Sequence, residues 1–173
     1  MKKIILILIS IITIFTLSTK ENELIIPKEA IRFRVIANSD TKIDQETKIL
    51  VRDKVQNKMI EDLKNINSIK DARNILTSNI SSYENLINKT LKSNEKDNSY
   101  QLNYGLNYFP EKNYKGVKYE EGYYESLVVT LGNGNNWWCV LFPPLCLLEA
   151  EETEETTEIE YRFFISELID KYF

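Results

Sequence analysis

The side chains whose types and spacing invite a chemical reading are Cys139 and Cys146 and, among the 26 acids, Asp40, Asp44 and Asp53. Histidine is absent from all 173 residues. Its absence removes Ser-His and Cys-His nucleophiles, histidine general bases and histidine-ligated zinc together. Two cysteines are also too few for a structural zinc site. With no base to activate Cys139, the pair reads as a disulfide closing the Phe142-Pro143-Pro144-Leu145 loop; the alternative is two buried thiols packed as small hydrophobes. A ring this short contributes about 2 to 3 kcal/mol on the loop-entropy account, so its main effect is on the shape of the loop. The three carboxylates could hold a metal or share acid–base work, but nothing in their spacing makes them converge. No catalytic residue, metal or cofactor is expected.

The cysteines belong to an unusual string, Asn136-Trp137-Trp138-Cys139-Val140-Leu141-Phe142-Pro143-Pro144-Leu145-Cys146, which holds both tryptophans of the chain. On a strand, Trp137 and Trp138 must point to opposite faces, so one can be core while the other is not. A solvent-facing Trp beside a pinned Pro143-Pro144 loop is a ready anchor for a partner. The alternative is that this Trp lies under a helix or loop. A second candidate contact is Asn38-Ser39-Asp40, where a strand feeds a helix; the same residues also serve as plain helix-capping sequence.

These positions need elements to hold them. Lys2 and Lys3 followed by the apolar run Ile4 to Leu17 read as an export signal over residues 1–19, either cleaved or retained as an anchor. Such a run is short for a membrane span, so any membrane contact is through this segment alone. Residues 20–30 read as a polar linker, and 31–173 as one exported domain, outside the cytoplasm, where disulfides persist. Formal net charge is −4. Seven acids fall between Glu149 and Glu160 without a base, which reads as a solvated loop. The remainder is close to neutral and has no electrostatic claim on nucleic acid.

Ile31 to Ala37 alternates like a strand. Thr41 with Asp44, and Ser68 with Asp71, are helix-start pairs. The first opens a helix striped by Ile43, Thr47, Leu50, Val51, Val55, Met59 and Leu63. The second opens one striped by Ala72, Leu76, Ile80, Tyr83, Ile87 and Leu91, giving an antiparallel helical hairpin. Strands are expected at Tyr100–Tyr108, Tyr114–Tyr119, Tyr123–Leu131 and Asn136–Phe142, the last two joined as a hairpin through Gly132-Asn133-Gly134-Asn135. Ile159, Tyr161 and Phe163 alternate like a final strand, and Ile165, Leu168, Ile169 and Tyr172 have helical spacing. The expected class is α+β: an antiparallel sheet covered by the helical hairpin, with a C-terminal strand and helix.

Two segments carry a family resemblance. One is Ile31-Arg32-Phe33-Arg34-Val35-Ile36-Ala37-Asn38-Ser39-Asp40, with Asp44-Gln45, Lys48 and Val51-Arg52-Asp53. The other runs from Tyr123 to Cys146 and ends in the Trp-Trp-Cys string. Over roughly 31–147 the chain resembles the stage II sporulation protein R family. That resemblance implies an exported signalling protein, not an enzyme. Members are made in the forespore and pass into the space between forespore and mother-cell membranes. There they activate a membrane-embedded aspartic-type protease of the mother cell, which processes pro-sigma-E. The chain departs from the family pattern at Arg34, where many members carry His, so a general base there would be lost. The rival readings are an envelope hydrolase using carboxylates and a structural envelope protein.

Overall fold

The structure is a computed structural model and describes residues 24–94, 99–146 and 157–173. Its centre is strand β2 (Ile31–Ile36), and the rest is best understood from what β2 needs. β2 lies between β6 (Gly122–Thr130), to which it is parallel, and β7 (Asn136–Phe142), to which it is antiparallel. β3 (Gln101–Phe109) completes the sheet on the far side of β6, in the order β3-β6-β2-β7. The sheet is thus mixed rather than wholly antiparallel.

Side chains of alternate parity go to opposite sides of this sheet. Phe33, Val35, Leu127, Val129, Cys139 and Leu141 face the helices. These are α1 (Lys42–Leu63), α2 (Ile69–Ser78) and α3 (Ile80–Ser93). α1 begins where Thr41 accepts from the Asp44 amide, and α2 where Ser68 accepts from that of Asp71. Both start pairs are therefore used as the sequence indicates. The second helix is not continuous, however: the chain breaks at Asn79, whose amide side chain donates to Asp62 at 3.0 Å, as does the Tyr83 hydroxyl. Asp62, in the last turn of α1, so ties the hairpin together. On α1 the expected stripe is rotated slightly. Ile43 and Leu50 stay exposed, while Lys48 and Gln56 are buried along with Val51, Val55 and Met59.

The opposite face also has to be covered, because Arg32, Tyr124, Ser126, Trp138 and Val140 point into it and all are buried. Its cover is a second, three-stranded sheet in the order β1-β5-β4, together with helix α4. β1 (Leu24–Ile25) falls inside the stretch expected as a linker; it pairs in parallel with β5 (Val117–Tyr119), and Ile26 and Ala30 are core. β4 (Lys112–Tyr114) and β5 form a tight hairpin, where one strand over 114–119 was expected. Lys115 and Gly116, both at positive φ, make the two-residue turn. α4 (Glu158–Tyr172) replaces the expected strand at 159–163. Thr157 and Glu160 form a reciprocal capping box, and Tyr161 and Ile165 are the buried positions of one helical stripe. The α+β class holds, with β7 the last strand among the described residues and α4 the C-terminal helix. Of the acidic stretch, residues 149–156 lie outside the described residues, and the part from Thr157 on is helix start rather than loop.

Arg32 sits in this second layer with no solvent exposure. Its guanidinium carbon is 3.4 Å from the centre of the Tyr124 ring, 4.8 Å from Trp138 and 5.0 Å from Phe109. Arg34, two residues on and pointing the same way, stacks at 3.8 Å over Phe109. No acceptor among the described residues reaches Nε, Nη1 or Nη2 of Arg32, or Nε and Nη2 of Arg34. Burial pushes the Arg32 pKa down to about 10 and lowers that of Arg34. Aromatic faces return about 1–2 kcal/mol each to a desolvated cation, against several kcal/mol lost on dehydration. Arg32→Met is accordingly expected to keep or raise the stability measured by denaturant titration. Arg32→Ala, which empties the cage, should lower it by about 2–5 kcal/mol.

A surface network joins α2 to the sheet. Arg73 bonds both oxygens of Glu125, at 2.7 and 2.6 Å, and the Tyr104 hydroxyl donates to Glu125 at 2.7 Å. Burial pulls the Glu125 pKa upward, but the Arg73 and Tyr104 bonds outweigh it and hold the carboxyl below its usual range. A carboxylate with a depressed folded pKa stabilises the fold at pH above its unfolded value, and that contribution disappears as pH falls through the folded value. The denaturation midpoint should therefore fall more between about pH 5 and pH 3 in the parent than in Glu125→Gln.

Candidate functional site

Because β2 occupies the place between β6 and β7, the loop 132–135 is not the turn of a hairpin, as its composition suggests. It crosses over the end of β2. There it meets Asn38-Ser39-Asp40, and the two segments bind each other through their backbones. Asn133 N donates to Asn38 O at 3.1 Å, Gly134 N to Ala37 O at 2.8 Å, and Ala37 N to Asn135 O at 3.3 Å. The approach explains the glycines. A Cβ on Gly132 would lie 2.5 Å from Asn38 O, and one on Gly134 2.5 Å from Ser39 O. Asp40 Oδ1 accepts from the Asn135 amide at 2.6 Å. Ser39 Oγ donates to Asp44 Oδ2 at 2.6 Å, and Asn38 Nδ2 donates to the same oxygen at 3.1 Å. Asn38, Ser39 and Asp40 thus join the two family-like segments of the sequence.

β7 is an edge strand: among the described residues β2 is its sole neighbour. α1 runs beside it, and residues one turn apart on α1 touch the chain just before the strand, within it and beyond its end. Lys48 Nζ donates to Asn135 O at 3.3 Å, Arg52 lies 5.0 Å over the Trp137 ring, and Gln56 Nε2 donates to Cys146 O at 3.4 Å. Burial, with repulsion from Arg52, holds the Lys48 pKa below the ordinary lysine range, though Asp40 opposes this. On the other side stands β4, the edge of the small sheet. Between α1 and β4 lies a groove of about 560 Å³ lined by Arg52, Asp53, Gln56, Lys112, Tyr114 and Trp137, reaching Cys146.

The two tryptophans part as strand geometry requires. Trp138 is buried, edge-on to Phe109 and Tyr119. Trp137 is half-buried, edge-on to Phe33 on its inner side, and forms part of the groove wall. Lys112 Nζ lies 4.9 Å from the Trp138 ring and 5.0 Å from that of Tyr114. Cys139 and Cys146 are bonded to each other, with Cα atoms 5.4 Å apart, and no free cysteine remains. Pro143 is buried after a cis peptide bond. Pro144 lines a separate apolar hollow of about 270 Å³ with Ile60, Leu63, Phe142 and Tyr172.

The structure divides the residues that the sequence grouped as one contact surface. Asn38-Ser39-Asp40 lie at the Asn136 end of β7 and the Pro143-Pro144 loop at the Phe142 end, separated by the strand's length of about 20 Å. Trp137 belongs to the groove; Trp138 does not. Asp40, Asp44 and Asp53 are each committed to different bonds, the last to Arg52 at 2.7 Å. Among the described residues, no group of three or more His, Cys, Asp or Glu is placed to hold a metal. Sequence reasoning missed Gln56, Lys112 and Tyr114. The four-residue steps Lys48, Arg52, Gln56 were a readable signal for a polar stripe, whereas nothing in the sequence places β4 beside β7.

The two sheets and the edge-strand groove define an α+β domain with a recess between its layers, lined by Arg52, Lys112, Tyr114 and Trp137 together with Asp53 and Gln56. A family model described as stage II sporulation protein R matches residues 27–152. The chain belongs to the stage II sporulation protein R family, a family of sporulation proteins. It is 38% identical over 148 residues to "Stage II sporulation protein R" of Bacillus subtilis (strain 168), an alignment covering 84% of this chain and 66% of that relative. This chain therefore spans about two thirds of the relative's length. No solved structure matches.

The loop contact is directly testable. Gly134→Ala drives a methyl group into the Ser39 backbone, so it should cost about 2 kcal/mol or more in denaturant titration. Asn133→Ala, at an exposed position of the same loop, should stay within about 0.5 kcal/mol of the parent.

Proposed function

We propose that this protein is an exported sporulation signal that activates a membrane-embedded aspartic-type protease of the mother cell, leading to processing of pro-sigma-E. It acts in the space between the forespore and mother-cell membranes, and its groove beside β7 is the contact surface. The observation that carries the reading is this groove. It puts a half-buried Trp with an arginine on its face, and a lysine held by aromatic rings, beside a strand edge that no described strand covers. Trp and Arg are the residue types that dominate binding energy at protein interfaces. An open strand edge offers backbone groups to an extended segment of a partner. Binding there shifts the protease toward its active state only by as much as the groove prefers that state. Family membership supports the sporulation role.

The Pro143-Pro144 loop and the Asn38-Ser39-Asp40 turn act on this surface indirectly, one pinning each end of β7. Asp40, Asp44 and Asp53 each have a local bonding role in holding these segments.

The experiment is complementation of a deletion strain, scored by pro-sigma-E processing. Trp137→Ala and Lys112→Glu should each reduce processing at least tenfold while the variant is exported and its disulfide forms. Trp138→Ala should instead lower the level of folded protein. Full processing by both groove variants at normal protein levels would discard the groove as the contact.

A further inference from the structure

The opposite edge of the large sheet poses a different question. β3 is nine residues long and, among the described residues, pairs with β6 alone. Its sequence, Gln101-Leu102-Asn103-Tyr104-Gly105-Leu106-Asn107-Tyr108-Phe109, contains no charge and no proline, and its register with β6 runs without a bulge. Open edges usually carry lysine, proline, a bulge or a cover that stops them templating another chain. This one carries none of the first three. It also leaves apolar surface in water at one end: Leu106 is 72% exposed, Tyr108 48%, and Tyr123, edge-on to Tyr108 on the neighbouring strand, 71%.

The order of residues along β3 says what fits this edge. About Gly105 the strand is nearly its own mirror: Tyr104 matches Leu106, Asn103 matches Asn107, and Leu102 matches Tyr108. Two copies laid antiparallel about a two-fold axis through Gly105 would place each of these pairs directly across from one another, on the same face. The exposed Leu106 and Tyr108 of one copy would then meet Tyr104 and Leu102 of the other. Such a contact is isologous and closes on itself, as a dimer requires. The helices lie to one side of Gly105. On the helix side they dock on the first part of β3, with the Tyr100 hydroxyl on Glu84 O and the Tyr104 hydroxyl in the Arg73–Glu125 network. In the rotated copy they fall over the opposite half.

Gly105 supplies a second, independent observation. Its own fold does not call for glycine: φ is not positive, and a Cβ there would meet only Asn103 Oδ1, at an ordinary 3.8 Å. Glycine within a strand costs stability and often marks the close approach of another backbone. In the symmetric pairing, residue 105 is the one that faces itself. We infer that β3 is a self-pairing edge through which two copies of this chain join into one continuous eight-stranded sheet, with Gly105 on the two-fold axis.

The test uses the full chain purified from cells that export it. The native cysteines are bonded to each other, so a single introduced cysteine is the one free thiol. Residues facing each other across an antiparallel pair have Cα atoms about 4.5–5.5 Å apart, within disulfide reach. Gly105→Cys should therefore oxidise to a covalent dimer of twice the monomer's mass on a non-reducing gel. Asn103→Cys should not, because the two copies of residue 103 would lie about 13 Å apart. Sedimentation of the unmodified chain should show dimer at tens of micromolar, and Leu106→Lys, at an exposed position, should give monomer with an unchanged far-ultraviolet spectrum. An unmodified chain that stays monomeric at 100 micromolar, or cross-linking that is equal at positions 103 and 105, would overturn the inference.

Discussion

β2 is enclosed on four sides, hydrogen-bonded along both edges and buried on both faces, and the other parts of the molecule are arranged to make that enclosure complete. Its helix-facing residues, Ile31, Phe33 and Val35, are ordinary core. Its other face presents two arginines, which no helix stripe could cover. Aromatic rings from β3, β6 and β7 do so instead, roofed by the small sheet and α4. A strand with one polar-looking face is normally read as half-solvated. Here the polar heads are laid flat against π-systems, and the face becomes a second core.

The same insertion of β2 creates the candidate site. If β6 and β7 had formed the hairpin their connecting glycines suggest, β7 would have no reason to pass near Asn38. With β2 between them, the loop must cross its end, and the chain there has to approach backbone to backbone. β7 is then left at the edge with α1 along it and β4 below, and these three define the groove. The disulfide fixes the far end of that edge, where Gln56 holds the Cys146 carbonyl. The structure therefore unites the two family-like segments by hydrogen bonds, although Asp40 and Asn135, bonded to each other, are 95 positions apart in sequence.

What the sequence revealed and what it concealed follow from the range of the interactions. Capping pairs, the helical stripes, the bounds of β7 and the Cys139–Cys146 pairing are local, and residues within a few positions of one another specify them. Strand order is not local. Gly132-Asn133-Gly134-Asn135 has the composition of a hairpin turn, and only the burial demands of β2 turn it into a crossover. Lys115-Gly116 was hidden inside an apparently continuous run, because lysine is rarely the residue that adopts a left-handed turn. Tyr161 and Phe163 alternate like a strand over three positions, too few to outweigh the Thr157–Glu160 box and the longer stripe ending at Tyr172. The division of labour between Trp137 and Trp138 needed the layers themselves.

The strand order 3-6-2-7 also sets how the chain can fold. β2 is made early, yet both of its partners lie beyond residue 120, so its apolar face has no sheet to join until nearly the whole domain exists. Closing such distant pairings is the slow step in folding, since loop entropy is lost before any contact is gained. A chain organised in this way emerges from the ribosome with its central strand still waiting, and it completes its core late and all at once.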